Sequence, residues 1–176
     1  MDTFKTIATR KSTRGFKDNQ IEEKDLIKIL AAGGSAPVGM GAYETMHLTI
    51  VQSKTQLEKI ADLVAATLNR KDTQPFYGAP TLIIVSGKKG NYGMAIEELN
   101  AGCIAENMLL AATELGLGSV FMLSTVIAFK ADPLLIKSLN IPDGYTPICS
   151  IIVGYTKEGI KSKNDMTNKI SYNVIK

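Results

Sequence analysis

Residues 92–115 constrain this chain more than any other stretch. The run has no proline and is filled with Ala, Leu, Met and Glu, which favour helices, so one helix from Tyr92 to Leu115 is predicted. At 1.5 Å per residue it would span roughly 35 Å, about the width of one domain. Its apolar residues, among them Met94, Ile96, Leu99, Cys103, Ile104, Met108 and Leu109, wrap most of the circumference. A helix of that kind runs through the centre of a fold or lies in a subunit interface. Gly116-Leu117-Gly118 supplies its stop.

Around it the periodicities set shorter elements. Asp2 to Arg10 reads as a helix with Phe4, Ile7 and Ala8 at helical spacing, and Ile21 to Ala32 as another, with Leu26, Ile27 and Leu30 on one face and Gly33-Gly34 as its stop. Ser53 caps a helix from Thr55 to Leu68 with Leu57, Ile60 and Val64 buried, after which Asn69 to Gln74 is a polar connection. Asp132-Pro133 opens a further helix carrying Leu134 to Leu139. Met46–Val51, Thr81–Val85, Ser119–Leu123 and Pro147–Val153 read as strands, and the unbroken apolar run of the second predicts cover on both faces. After a polar arm from Lys157, Ile170 to Ile175 alternates like an edge strand that pairs with a neighbouring subunit. Residues 1–176 form one domain, since no repeat, low-complexity segment or linker divides them.

The bulk numbers matter for what they exclude. A net charge of +3 with scattered lysines gives no basic stripe for a nucleic acid partner. No apolar run reaches the roughly 18 residues of a membrane span, and the first residues lack a signal-peptide profile. Cys103 and Cys149 lie far apart in apolar surroundings and read as buried free thiols, which fits a cytoplasmic location.

Most familiar chemistries fail on inspection. His47 is the chain's one histidine and sits within a predicted strand, so it serves better as a structural residue than as a zinc ligand or a serine's base. Glu97 and Glu98 read as a solvated face and Glu106 as a partly buried anchor, with no Glu-x-x-His motif to complete a carboxylate metal site. Gly87-Lys88-Lys89-Gly90 lacks phosphate-loop spacing and reads as a surface turn. What remains is Arg10-Lys11-Ser12-Thr13-Arg14, the small-residue loop Ala36 to Ala42, and Lys161 and Lys163. The cations either complement the negative end of the preceding helix or grip a phosphate, with Arg10, Ser12 and a returning Lys161 or Lys163 as donors. No acid–base residue accompanies them, which points to a cofactor that brings its own chemistry.

Four motifs in order resemble the FMN-dependent nitroreductase family: Arg10-Lys11-Ser12-Thr13-Arg14-Gly15-Phe16; Ala36-Pro37; Tyr77-Gly78-Ala79-Pro80-Thr81-Leu82-Ile83-Ile84-Val85; and Asn107 through Ser119. The resemblance covers nearly the whole chain. It implies an α+β fold, with a central mixed sheet flanked by helices, a long central helix within an intertwined homodimer, and an exchanged C-terminal strand. It further implies that Arg10, Lys11 and Ser12 hold the phosphate and ribityl end of FMN and that Arg14 reaches the pyrimidine edge. Pro37, Val38 and Gly39 would come from the partner chain, Leu123 and Ser124 would sit near the ring, and Lys161 or Lys163 would finish the phosphate site. The implied activity is ping-pong electron transfer from NADH or NADPH to a small acceptor such as a nitroaromatic or quinone.

The sequence departs from the family pattern at the loop. Where the family continues with an asparagine and a glutamine, this chain has Gly39-Met40-Gly41-Ala42, which would leave the flavin held more by backbone. Two other readings stay open: an FMN protein with non-nicotinamide chemistry (flavin fragmentation, dehalogenation or dehydrogenation), and a non-enzymatic module that binds a phosphorylated ligand.

Overall fold

Side chains alternate across a strand, so an unbroken apolar strand must be covered twice. A computed structural model of the chain describes residues 2–70, 73–90 and 95–176. In chain order the elements are α1 (Thr3–Thr9), α2 (Glu23–Gly34), β1 (Met46–Val51), α3 (Lys54–Thr67), β2 (Thr81–Lys88), α4 (Ile96–Glu114), β3 (Gly118–Met122), α5 (Ser124–Ala131), α6 (Pro133–Ser138) and β4 (Tyr145–Gly154). Short 3-10 turns occupy Gly39–Gly41 and Tyr43–Thr45.

The strands form one sheet in the order β1-β2-β4-β3, with every ladder antiparallel. The expected mixed character is confined to one parallel bridge, Ser12 to Ser119. On one face Ile83, Val85, Cys149, Ile151 and Val153 pack against Ile104, Ala105, Met108 and Leu109 of α4 and Ile29 of α2. On the other, Leu82, Ile84, Val120 and Ile152 meet Leu57, Ile60 and Val64 of α3 and Ala128 and Phe129 of α5. Leu82, Ile83, Ile84 and Val85 are all fully buried, each contributing about 1.5–3 kcal/mol of hydrophobic stabilisation. The result is an α+β fold of three layers.

Close helix packing explains one glycine. A Cβ on Gly33 would stand 2.8 Å from Met108 Cγ, so α2 approaches α4 as closely as it does only without a side chain there. Gly33 and Gly34 therefore end α2 from within it, and the stop falls at Ser35. Asp132 caps α6 as its sequence predicts, its Oδ1 accepting from Leu134 N at 3.0 Å and Leu135 N at 3.2 Å. Ser53 precedes α3 but makes no side-chain capping bond.

Several expectations are corrected. In α1 the buried residues are Thr6 and Thr9, while Phe4 is 69% and Ile7 42% exposed; the polar face docks because Thr6 Oγ1 donates to Glu114 Oε2 of α4 at 2.6 Å. Ile27 of α2 also faces outward. The first residues expected in the long helix, Tyr92, Gly93 and Met94, lie outside the described residues, as do Lys71 and Asp72 of the polar connection. The described part, α4, buries one side only, leaving Leu99 and Cys103 exposed. Cys103 is thus not the buried thiol expected, whereas Cys149 is, and burial pushes its pKa up to about 12.

β2 runs on through Gly87 and Lys88, which shortens the expected surface turn to Lys89 and Gly90. Glu97 is buried rather than solvated, and accepts from Gly90 N, a bond that holds its carboxyl below the ordinary range. α5 was not anticipated. The C-terminal residues 157–176 form neither helix nor strand, so among the described residues the alternating run Ile170–Ile175 pairs with no strand.

Candidate functional site

The basic cluster occupies a strap pulled taut between α1 and the sheet. α1 ends at Arg10, whose N–H donates to Thr6 O at 2.9 Å. From there the chain runs extended: Thr13 N donates to Ser119 O at 3.0 Å, Phe16 N to Tyr77 O at 3.1 Å and Lys17 N to Tyr155 O at 2.8 Å. Phe16 bridges Thr156 and is fully buried.

Extended backbone sends successive side chains to opposite sides. Thr13 turns inward between Ser12 and Arg14, so closely that a Cβ on Gly118 would lie 2.7 Å from its Cγ2, and Phe16 is buried again beyond Gly15. Ser12 and Arg14 are exposed, and Arg10 and Lys11 half-buried. A set of three cations and a hydroxyl is thereby held at one edge of β3 by backbone bonds and by the buried side chains of Thr13 and Phe16.

Arg10 is only loosely engaged. Its Nε lies 3.7 Å from Glu106 Oε1 with both side chains accessible to solvent, a pairing worth well under 1 kcal/mol. Glu106 is accordingly exposed rather than a partly buried anchor. The tail returns to the same corner: Lys163 N donates to Thr9 Oγ1 at 3.0 Å, and Thr9 Oγ1 to Lys163 O at 3.3 Å. This fixes the main chain of Lys163 beside Thr9, the residue before Arg10, while Lys161 is exposed two residues earlier in the tail.

Leu123 and Ser124 lie at the opposite end of β3, where it turns into α5, with Leu123 exposed. At roughly 3.3 Å per residue, β3 separates this turn from Ser119 by about 13 Å. The loop residues sit elsewhere. Val38 is buried in the core beside α4, Pro37 and Gly39 are exposed, and Gly39 N donates to Asn100 Oδ1 at 2.9 Å. Among the described residues no hydrogen bond or ion pair joins loop 37–39 to strap 10–14 of the same chain. Cavities of about 670 and 660 Å³ open elsewhere on the described surface, and neither is lined by an expected site residue.

Sequence reasoning missed Thr9, which ties the tail to the strap, and Asn100, which ties the loop to α4. Asn100 carried a faint signal, since asparagine is a poor residue for a helix interior and needs a reason to stand among alanines and leucines.

An antiparallel sheet covered by α2 and α4 on one face and by α3 and α5 on the other, with a basic strap along edge strand β3, defines an α+β domain. The nitroreductase family model matches residues 7–155, and the chain belongs to that family. It is 29% identical over 157 residues to an Archaeoglobus fulgidus protein named NADH dehydrogenase/NAD(P)H nitroreductase, covering 89% of this chain and 87% of that protein. A Bacteroides fragilis nitroreductase solved with bound FMN matches at 29% identity and a TM-score of 0.81, each chain covered in full. A Desulfitobacterium hafniense nitroreductase with bound FMN matches at 26% identity and a TM-score of 0.82, covering 99% of this chain and all of the other.

Proposed function

We propose that the chain is an FMN-dependent oxidoreductase that carries electrons from NADH or NADPH to a nitroaromatic, quinone or similar acceptor by a ping-pong mechanism, as a cytoplasmic homodimer. The observation that carries the reading is the strap: Arg10, Lys11, Ser12 and Arg14 are set on one edge by backbone bonds to β3 and its surroundings, with Lys163 tied beside them. Cations and a hydroxyl at one end of β3 and an uncovered turn at the other form a donor set that fits a phosphate and a ring of one extended cofactor. Solved relatives with bound FMN support the choice of that cofactor.

Arg10 and Lys11 would neutralise the phosphate, and Ser12 would donate a hydrogen bond to it. Lys163 or Lys161 adds a further cation. Arg14 would place positive charge at the pyrimidine edge, where it favours an electron-rich ring. Leu123 and Ser124 would border the ring on the side of β3. Pro37, Val38 and Gly39 of a second copy would close the other side, which excludes water from the exchange. Bound FMN supplies two-electron transfer, in from a nicotinamide and out to an acceptor.

The homodimer is supported by apolar surface left uncovered on α1, on α4 and along the tail: Phe4, Leu99, Ile170, Tyr172, Val174 and Ile175. Among the described residues no helix is long and apolar enough to cross a membrane.

The test is a visible spectrum of the purified protein, taken anaerobically before and after each nicotinamide. The reading predicts a flavin spectrum that bleaches. Flavin that stays unbleached would support non-nicotinamide chemistry, and a protein that neither contains nor takes up FMN would support the phosphate-binding module.

A further inference from the structure

The loop that would close the flavin site lacks amide side chains of its own, at Gly39-Met40-Gly41-Ala42, and it enters from a start seated in the core by Ala36 and Val38. Met40 sits in the left-handed region at φ 60°, a conformation unfavourable for a residue with a side chain. Its internal bonds, Gly41 N to Val38 O at 2.9 Å and Ala42 N to Gly39 O at 3.3 Å, are short-range. Tyr43 Oη donates to Ala36 O at 3.1 Å, which is also local.

Ala42 O accepts from Thr45 N and Oγ1 of the next turn; among the described residues, the one hydrogen bond from residues 37–42 to an α-helix or strand is Gly39 N to Asn100 Oδ1 at 2.9 Å. Asn100 is 5% exposed in the second turn of α4, and no acceptor among the described residues takes its Nδ2 protons. Gly39 is shaped for the contact: a Cβ there would lie 2.9 Å from Ile96 Cγ2 and 3.5 Å from Asn100 Oδ1. The Ile96 methyl branches next to the helix backbone and has little room to yield.

We propose that Asn100 is the positioning residue of the cofactor loop: its carboxamide holds the Gly39 main chain to α4, and so presents Pro37–Gly39 to FMN bound on the strap of a second copy. This rests on the FMN reading above. Asn100 stands in for the loop's missing polar side chains by gripping the loop from behind.

The test is an FMN titration of apoprotein, with the thermal melting of each apo-variant recorded in parallel. Asn100→Leu keeps the size and removes the acceptor, and should weaken FMN binding about tenfold. Asn100→Asp keeps an acceptor oxygen and should remain within about threefold of wild type. Gly39→Ala should weaken binding like Asn100→Leu, and the double variant should be no worse than either alone, because both break one contact. The inference is overturned if Asn100→Leu binds as wild type, if Asn100→Asp is as weak as Asn100→Leu, or if the Gly39→Ala and Asn100→Leu effects add. Wild-type protein that takes up no FMN overturns the functional reading and the clamp with it, whereas wild type that binds FMN beside an indifferent Asn100→Leu overturns the clamp alone.

Discussion

The strap at residues 12–17 and the tail beyond Lys157 flank the same corner of the molecule and are held very differently. Phe16 of the strap is fully buried, and the strap's amides bond to three separate parts of the fold. The tail is stitched at Lys157, whose N–H donates to Gly15 O at 3.1 Å, and at Lys163, through Thr9. After that its apolar residues stand in solvent, Ile170 at 79% and Ile175 at 91% exposure. The strap is finished by its own chain, and the tail has the composition of a segment finished by another. Phe4, Ile7, Leu99 and Cys103 repeat the point, since apolar or soft side chains are left outside by a chain that buries its core well. Under the proposed function the strap would be held by the fold of one chain, while the closing loop and the cover for the tail would come from a second copy.

Each side of that contrast can be broken separately, and the largest effect is expected at the strap. Phe16→Ala should lower the unfolding free energy by about 3–5 kcal/mol in a denaturant titration, as for other buried phenylalanines. Ending the chain after Lys163 should leave the far-ultraviolet circular dichroism and the monomer fold intact while the dimer dissociates. With the five exposed apolar side chains Met166, Ile170, Tyr172, Val174 and Ile175 removed, each contributing about 1.5–3 kcal/mol when buried in an interface, a dimer dissociation constant at least about a hundredfold weaker is expected by analytical ultracentrifugation. A truncated chain that unfolds would show that the tail supports its own domain and would erase the contrast.

The next effects sharpen the strap's role. Replacing Arg10 and Ser12 together with alanine removes two charge-assisted bonds and should weaken FMN binding about a hundredfold or more, giving colourless protein with unchanged stability. Lys163→Ala should weaken FMN binding several-fold at most, because its hold on Thr9 uses main-chain atoms that alanine retains. The smallest effect is a labelling count. Cys149 is buried with its pKa raised to about 12 and should not react, while Cys103 is exposed in the single chain. A thiol reagent should therefore label one cysteine per truncated monomer and fewer in the intact dimer.

The legibility of the sequence divides along the same line. β2, the body of α4, and the Asp132-Pro133 start of α6 were readable because local pattern and burial agree there. Cations and hydroxyls at short spacing marked residues 10–14 as a candidate site, but their extended path along β3 left no periodic signal. α5 was not readable, since Ser124 to Ala131 follows β3 without a capping bond and its apolar residues lack a clear stripe. In α1 the apolar positions were correctly seen at helical spacing, but in this chain alone they face outward while Thr6 and Thr9 dock. Periodicity reports that a face will be covered and says nothing of whose atoms cover it. Glu97 and Asn100 were misjudged or missed for a related reason: each side chain accepts one bond from a backbone amide outside its helix, Gly90 N and Gly39 N, and such a bond leaves no periodic trace.

The most direct test of a site shared between chains is the flavin content of a mixed dimer. One protomer carries Arg10→Ala with Ser12→Ala, and the other carries Gly39→Val, the two being co-expressed with different tags and purified through both. FMN is supplied at a concentration that fills the wild type but neither parent homodimer. If the strap of one chain works with the loop of the other, the mixed dimer has one intact site and should hold about one FMN per two chains. If strap and loop serve the site of a single chain, both sites are broken, and a mixed dimer without flavin would contradict the account.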